Sequence, residues 1–157
     1  MSMITQSKDQ QAGFTLLELL VAMTIFAVGL LGLSAMQGMA LRGNDDAFLK
    51  GQAVMLANDI ADRMRVNLGG VTAGAYAGAA SPAWPAAPPN PGVVCVGAGA
   101  FCNNGAMAAF DIYQWLTNVS QLPRGTASIS AAGPPYIVTI NWDGRYGPST
   151  YSVSVQP

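Results

Sequence analysis

The chain has 157 residues, of which 51% are apolar and only 10% charged, with a net charge of −1 and no histidine. That length suits one domain, at roughly 100–200 residues each. The near-neutral balance leaves no electrostatic footprint for nucleic acid. Without histidine there are no His-based triads, no His metal sites and no access to the commonest general acid–base group.

Residues 1–13 form a short polar leader that includes Lys8 and Asp9. An apolar run follows. Leu19 to Met36 carries no charge, and the flanks extend the run to Phe14 and Leu41, broken by Thr15, Glu18, Thr24, Ser34 and Gln37. About 20 apolar residues cross a hydrocarbon core of about 30 Å, so one transmembrane pass over about 19–38 is expected. A cleaved secretory signal is the alternative, with Ala22, Ala27 and Gly29 as small residues near a cleavage site. Its apolar region would be shorter, about 7–15 residues. Lys8 is offset by Asp9, and Arg42 follows the run, so charge alone does not orient the segment. Glu18 is the exception inside it. An acid at mid-helix costs roughly 2.5–3.5 kcal/mol on insertion, less near the interface, and such residues usually mark function.

Helical periodicity continues beyond the run. Leu49, Ala53, Leu56, Ile60 and Met64 fall on one face, with Asp46, Lys50, Asn58, Asp62 and Arg65 on the other. Asp46/Lys50 and Asp59/Arg63 are i,i+4 pairs in the favourable order. One helix over 14–68 is predicted, transmembrane first and amphipathic second. Asp59, Asp62, Arg63 and Arg65 read as a solvated face or as a face for a partner. Gly69-Gly70 is expected to stop the helix. The Gly/Ala/Pro-rich stretch that follows reads as an irregular, unpacked loop spanning 69–103, with Trp84 as a candidate contact residue. The loop holds Cys95 and Cys102, which form a disulfide in an oxidising compartment and remain free thiols otherwise.

Asn103-Asn104 caps a second helix whose apolar face is Ala108, Ile112, Trp115, Val119 and Leu122, and Pro123 ends it. Two strands follow by period-two alternation: Tyr136, Val138, Ile140 and Trp142, then Tyr151, Val153 and Val155. Thr126–Ser130 suggests a shorter third. Trp115 and Trp142 read as core, and Asp111 and Asp143 lie too far apart in sequence to claim as a carboxylate pair. The expected fold class is α+β: a long N-terminal helix packed on a small antiparallel sheet, with a short second helix over the same head (104–157).

Gly13-Phe14-Thr15-Leu16-Leu17-Glu18, set before an apolar helix, resembles the class III signal of type IV pilins and type II secretion pseudopilins. The resemblance implies cleavage between Gly13 and Phe14 by prepilin peptidase, removing residues 1–13, and N-methylation of Phe14. It implies that Glu18 pairs with the Phe14 amine of a neighbouring subunit during assembly. It also implies a cytoplasmic leader, a single pass of the bacterial inner membrane and a periplasmic head, which supports a Cys95–Cys102 disulfide. Further along, Gly29–Leu33, Ala57–Asn67, Asp111–Trp115 and Val138–Trp142 are similar to minor pilins, and Ala35 stands where many major pilins have a kinking proline. The implied function is a non-enzymatic subunit of the pilus initiation or tip complex, supporting adhesion, twitching motility or DNA uptake. Its implied partners are other minor pilins, the major pilin, the peptidase/methylase and the inner-membrane assembly platform, with no cofactor, no metal and no direct nucleic-acid binding. A type II secretion minor pseudopilin is the alternative, and a membrane-anchored periplasmic binding protein a more distant one.

Overall fold

A computed structural model describes residues 15–84, 86–97 and 101–157, the side chain of Arg42 excepted. Gly13 and Phe14 lie outside the described residues. The elements in chain order are α1 (Leu16–Val66), α2 (Leu68–Thr72), α3 (Asn104–Val119), β1 (Thr126–Ile129), β2 (Tyr136–Gly144) and β3 (Gly147–Val155). The chain divides into two compact units, the first ending at Leu41 and the second running Arg42–Pro157.

The first unit is apolar helix with its side chains exposed, from Leu16 to Leu41. It is long and apolar enough to cross a membrane. Its hydroxyls turn inward to the helix: Thr24 Oγ1 donates to the Val21 carbonyl at 2.8 Å and Ser34 Oγ to the Leu30 carbonyl at 3.0 Å. Such back-bonding hides polar atoms that lipid cannot solvate.

The second unit is built on the last part of α1. Ala53, Ala57, Ile60, Ala61 and Met64 are buried there, while Leu49 and Leu56 only pack against the core's margin. The buried stripe is thus richer in alanine than the expected face. Small side chains let the neighbouring layer come close to the helix axis, and Trp115, Tyr76 and Ile140 are the large buried side chains of the same core. The i,i+4 pair Asp59/Arg63 forms at 3.0 Å. Asp46 accepts instead from the backbone N–H of Arg145, at 3.0 Å, so its carboxylate serves the sheet rather than Lys50.

The sheet is antiparallel in the order β1-β2-β3. Tyr136, Val138, Ile140 and Trp142 of β2 all face the core, as their alternation predicts. The register sets Val138 opposite Ile129 on one side and Val153 on the other. Thr150 Oγ1 donates to Asn141 Oδ1 at 2.8 Å on the outer face, and the Thr139 and Ser152 hydroxyls meet at 3.1 Å.

Two expectations change after α1. Helix α1 ends at Val66, and the break falls at Asn67 (φ −104°, ψ 57°), whose side chain accepts from the Gly70 N–H at 3.2 Å. Gly69 and Gly70 lie inside the next short helix rather than stopping the first. A cap outweighs the poor helix propensity of glycine because it satisfies a backbone donor at the helix start. Glycine is also needed there for space, since a Cβ at Gly69 would run into the Asn104 side chain.

The stretch after α2 is not wholly unpacked either. Tyr76 is fully buried. Residues 78–81 run along the free side of β1: Ile129 N–H donates to the Ala79 carbonyl at 2.7 Å, Ser81 N–H to the Ala127 carbonyl at 2.8 Å and Gly78 N–H to the Ser130 carbonyl at 3.2 Å. Alanine and glycine suit this task because they bring one backbone against another without side-chain obstruction.

Candidate functional site

Three groups of residues carry chemistry: the start of α1, a polar knot beneath α3 and the cysteine loop. At the start of α1, Thr15 precedes the first helical residue. Its Oγ1 accepts from the Glu18 N–H at 3.3 Å, and its carbonyl accepts from the N–H groups of Glu18 and Leu19 at 3.1 and 3.3 Å. Thr15 therefore caps the helix, and Glu18 sits in the first turn, where a negative charge complements the helix dipole. The Thr-x-x-Glu spacing was a legible signal for this. Glu18 is exposed on the helix, and among the described residues no cation pairs with its carboxylate.

The knot joins α1, the stretch after α2, and α3. Asp111 is buried on α3. One of its oxygens accepts from Arg63 Nη1 at 3.1 Å and the other from the Tyr76 hydroxyl at 2.7 Å. Arg63 also donates to Gln114 Oε1 at 2.8 Å and, through Nε, to Asp59 at 3.0 Å. Asn67 Nδ2 completes the knot, donating to the Tyr76 oxygen at 3.1 Å and to the Asn104 carbonyl at 2.8 Å. Burial pushes the Tyr76 phenol far above its ordinary range, and its bond to Asp111 adds to the shift. For Arg63 burial works the other way and favours the neutral form. Asp59 and Asp111 together outweigh it, so the guanidinium is held above its ordinary value. Trp115, also on α3, donates its indole N–H to the Leu56 carbonyl of α1 at 2.9 Å. Every buried polar side-chain atom among the described residues has a partner.

The four charged residues proposed as one face therefore divide. Arg63 is committed to the interior through Asp59, Asp111 and Gln114. Asp62 and Arg65 form an exposed i,i+3 pair at 2.6 Å. Asp111, Tyr76, Asn67 and Gln114 were not singled out as site residues. One signal was present: Asp111 stands three residues after Ala108 and four before Trp115, on the apolar face of α3. A charged residue in that stripe implies a buried partner.

Cys95 and Cys102 form a disulfide, with Cα atoms 5.7 Å apart. The exposed Val94, Val96, Phe101 and Trp84 lie around it in sequence.

A methylation-type leader, an exposed apolar helix with one acid in its first turn, and a small three-stranded head together define a pilin-class subunit. The prokaryotic N-terminal methylation motif matches residues 8–34, and the type IV pilin Tt1218 model matches residues 35–113, half of the chain. The chain belongs to the Tt1218-like family of type IV pilins. The methylation motif implies processing by prepilin peptidase, membrane anchoring and assembly into a pilus. No curated protein and no solved structure matches the chain.

Proposed function

We propose that this type IV pilin is a minor subunit of the PilV type, the pilus modification protein, acting in the complex that initiates the pilus or forms its tip. What supports a minor subunit is the likeness of Gly29–Leu33, Ala57–Asn67, Asp111–Trp115 and Val138–Trp142 to minor pilins, together with Ala35 in place of a proline. In this proposal the leader lies in the cytoplasm and the head in the periplasm. Prepilin peptidase cuts after Gly13, and Phe14 is then methylated. The new amine of Phe14 meets Glu18 of a neighbouring subunit as the chain leaves the bilayer. Pairing lowers the cost of burying either charge.

The observation that carries the assembly role is Glu18 itself, exposed as the one charge between Leu16 and Leu41 of α1, with no cation beside it among the described residues. Glu18→Ala is expected to leave the full-length protein in the membrane fraction while its content in sheared pili falls. Unchanged pilus content would remove the assembly role. Replacing Gly13 by a bulky residue is expected to leave a chain longer by the leader on a denaturing gel, and a product of normal size would remove the cleavage step. Crosslinking from Asp62 or Arg65 in intact cells, with the partner identified by mass, tests the PilV assignment. Other minor pilins and the assembly platform are the expected partners, and secretion-system components would instead mark a pseudopilin.

A further inference from the structure

The head covers one edge of its sheet and leaves the other open. Residues 78–81 cover the outer side of β1, where the Ile129 N–H donates to the Ala79 carbonyl at 2.7 Å. Strand β3 has β2 on one side and no described strand on the other. Its ladder is unbroken from Gly144 opposite Gly147 to Tyr136 opposite Val155. The turn between them is Arg145-Tyr146, so the backbones of Gly144 and Gly147 bond to each other. Alternation then aims the N–H and C=O groups of Ser149, Tyr151, Val153 and Val155 at β2, and those of Thr150, Ser152 and Ser154 away from it. These three residues are exposed, and among the described residues their outward backbone groups have no partner. Lysine, a bulge or a covering segment normally blunts such an edge. Here only Pro148 does so, at the start of the strand, and residues 147–157 carry no charge. On the inner face Tyr151 and Val153 are half-buried at the margin of the core.

The same molecule carries a strand-like segment that belongs to no sheet. Residues 93–96 read Val-Val-Cys-Val, without a charge, and lie outside any helix, strand or turn. Gly92 and Gly97 bound them, with positive φ of 70° and 103°. Val94 and Val96 are 68% and 61% exposed, whereas Val93 and Cys95 are half-buried, which is the period-two alternation of an extended chain. β-branched side chains favour that conformation. Among the described residues no backbone hydrogen bond engages residues 93–96. The free backbone groups of β3 recur at every second residue, about 6.8 Å apart, a repeat that an extended chain shares and a helix does not.

We propose that residues 93–96 of one copy of the chain add a strand to the free edge of β3 in a second copy. Their backbone meets the outward groups of Thr150, Ser152 and Ser154, the mode by which an extended segment joins a sheet edge. Val94 and Val96 lie on the inner face beside Tyr151 and Val153 and cover the half-buried end of the core. Neither surface is charged, so main-chain bonds and apolar contact carry the association. The two surfaces differ, so the contact is head-to-tail: each copy offers its loop to one neighbour and its edge to another. The Cys95–Cys102 disulfide ties the loop to the residue before the Asn103 cap of α3. The inference goes beyond the minor-subunit reading and does not rest on it.

The test uses the full chain in nonionic detergent, with empty micelles in excess. One copy carries a benzophenone amino acid in place of Val94, and the other is labelled with heavy isotopes. Ultraviolet light is expected to join the two, with the crosslink mapped by mass to residues 149–155 of the heavy copy. Ser152→Pro removes one outward N–H without touching the β2 ladder. In the heavy copy it is expected to cut the yield several-fold, and in the benzophenone copy to leave it unchanged. A reciprocal arm needs no proline in a strand. The benzophenone stands at Ser152 of one copy, and Val94→Lys with Val96→Lys in the loop of the other is expected to lower the yield several-fold. No crosslink between copies, crosslinks mapped elsewhere, or yields insensitive to both sets of substitutions overturn the proposal. So does an equal loss from Ser152→Pro in either copy, which marks two β3 edges paired with each other.

Discussion

Asp111 is buried, and each of its oxygens has its own donor, Arg63 on one side and Tyr76 on the other. Removing the Tyr76 hydroxyl leaves one oxygen of a buried carboxylate without a partner, at a cost of about 1–3 kcal/mol. Tyr76→Phe is therefore expected to lower the urea-unfolding free energy by that amount at neutral pH. The pH dependence has a definite sign. An unfolded tyrosine releases its proton near its ordinary value of 10, whereas the folded Tyr76 holds it to higher pH. The folded state then binds more protons than the unfolded state above about pH 10, so this group's stability is complete below that pH and is lost as pH rises beyond it. In Tyr76→Phe the alkaline decline is expected to be shallower than in the parent chain, and parallel declines would refute the role given to burial here. The exposed pair Asp62–Arg65 sits at the other extreme. Despite its 2.6 Å separation it is worth at most about 1 kcal/mol, because water screens it and two long side chains must be ordered.

The elements turn on their ends. Helix α3 is capped by Asn103, whose side chain accepts from the Ala106 N–H at 2.8 Å, and tight turns closed by the N–H groups of Gln121, Leu122 and Gly125 lead from its end to β1. Gly125 stands in that exit. A Cβ on it would collide with the Val119 carbonyl and lie 2.9 Å from the Leu122 Cβ. Backbone cannot yield as a flexible side chain does, so Gly125→Ala is expected to destabilise the head by about 1–3 kcal/mol. Gly105, in the first turn of α3, gives the opposite sign. Its Cβ would meet nothing closer than Asn103 Oδ1 at 3.6 Å, an ordinary contact. Gly105→Ala is expected to stabilise by up to about 1 kcal/mol, through helix propensity alone. Thermal unfolding of the two variants side by side checks both signs.

At the scale of the molecule, the core lies wholly within the second unit. Its helix contribution begins at Ala53, with Leu49 packed at the margin, and every other member follows in sequence. Among the described residues, the first unit contributes exposed apolar surface and no member of that core. A chain beginning at Arg42 is therefore expected to be soluble without detergent and to unfold in one cooperative step. Aggregation, or a gradual non-cooperative melt, would show that the first unit supports the head. The disulfide closes a short loop whose half-buried cysteines are not members of that core, with a sequence separation of 7. In a chain-entropy model so short a loop restricts the unfolded chain by about 2–3 kcal/mol.

The sequence by itself determined the membrane-length apolar run, the acid within it, the second helix and the alternation of β2. Each of these is a local pattern: hydrophobic period, cap chemistry and charge against apolar surroundings all act within one or two turns of chain. It also carried the methylation motif, because a processing signal is read as an extended string of residues. Only the tertiary structure decided that Arg63 turns inward, that Asp46 holds the hairpin rather than Lys50, and that residues 78–81 cover the side of β1. Those contacts join residues 46–99 positions apart. Their formation depends on which surfaces meet once the core closes, and no local pattern carries that information.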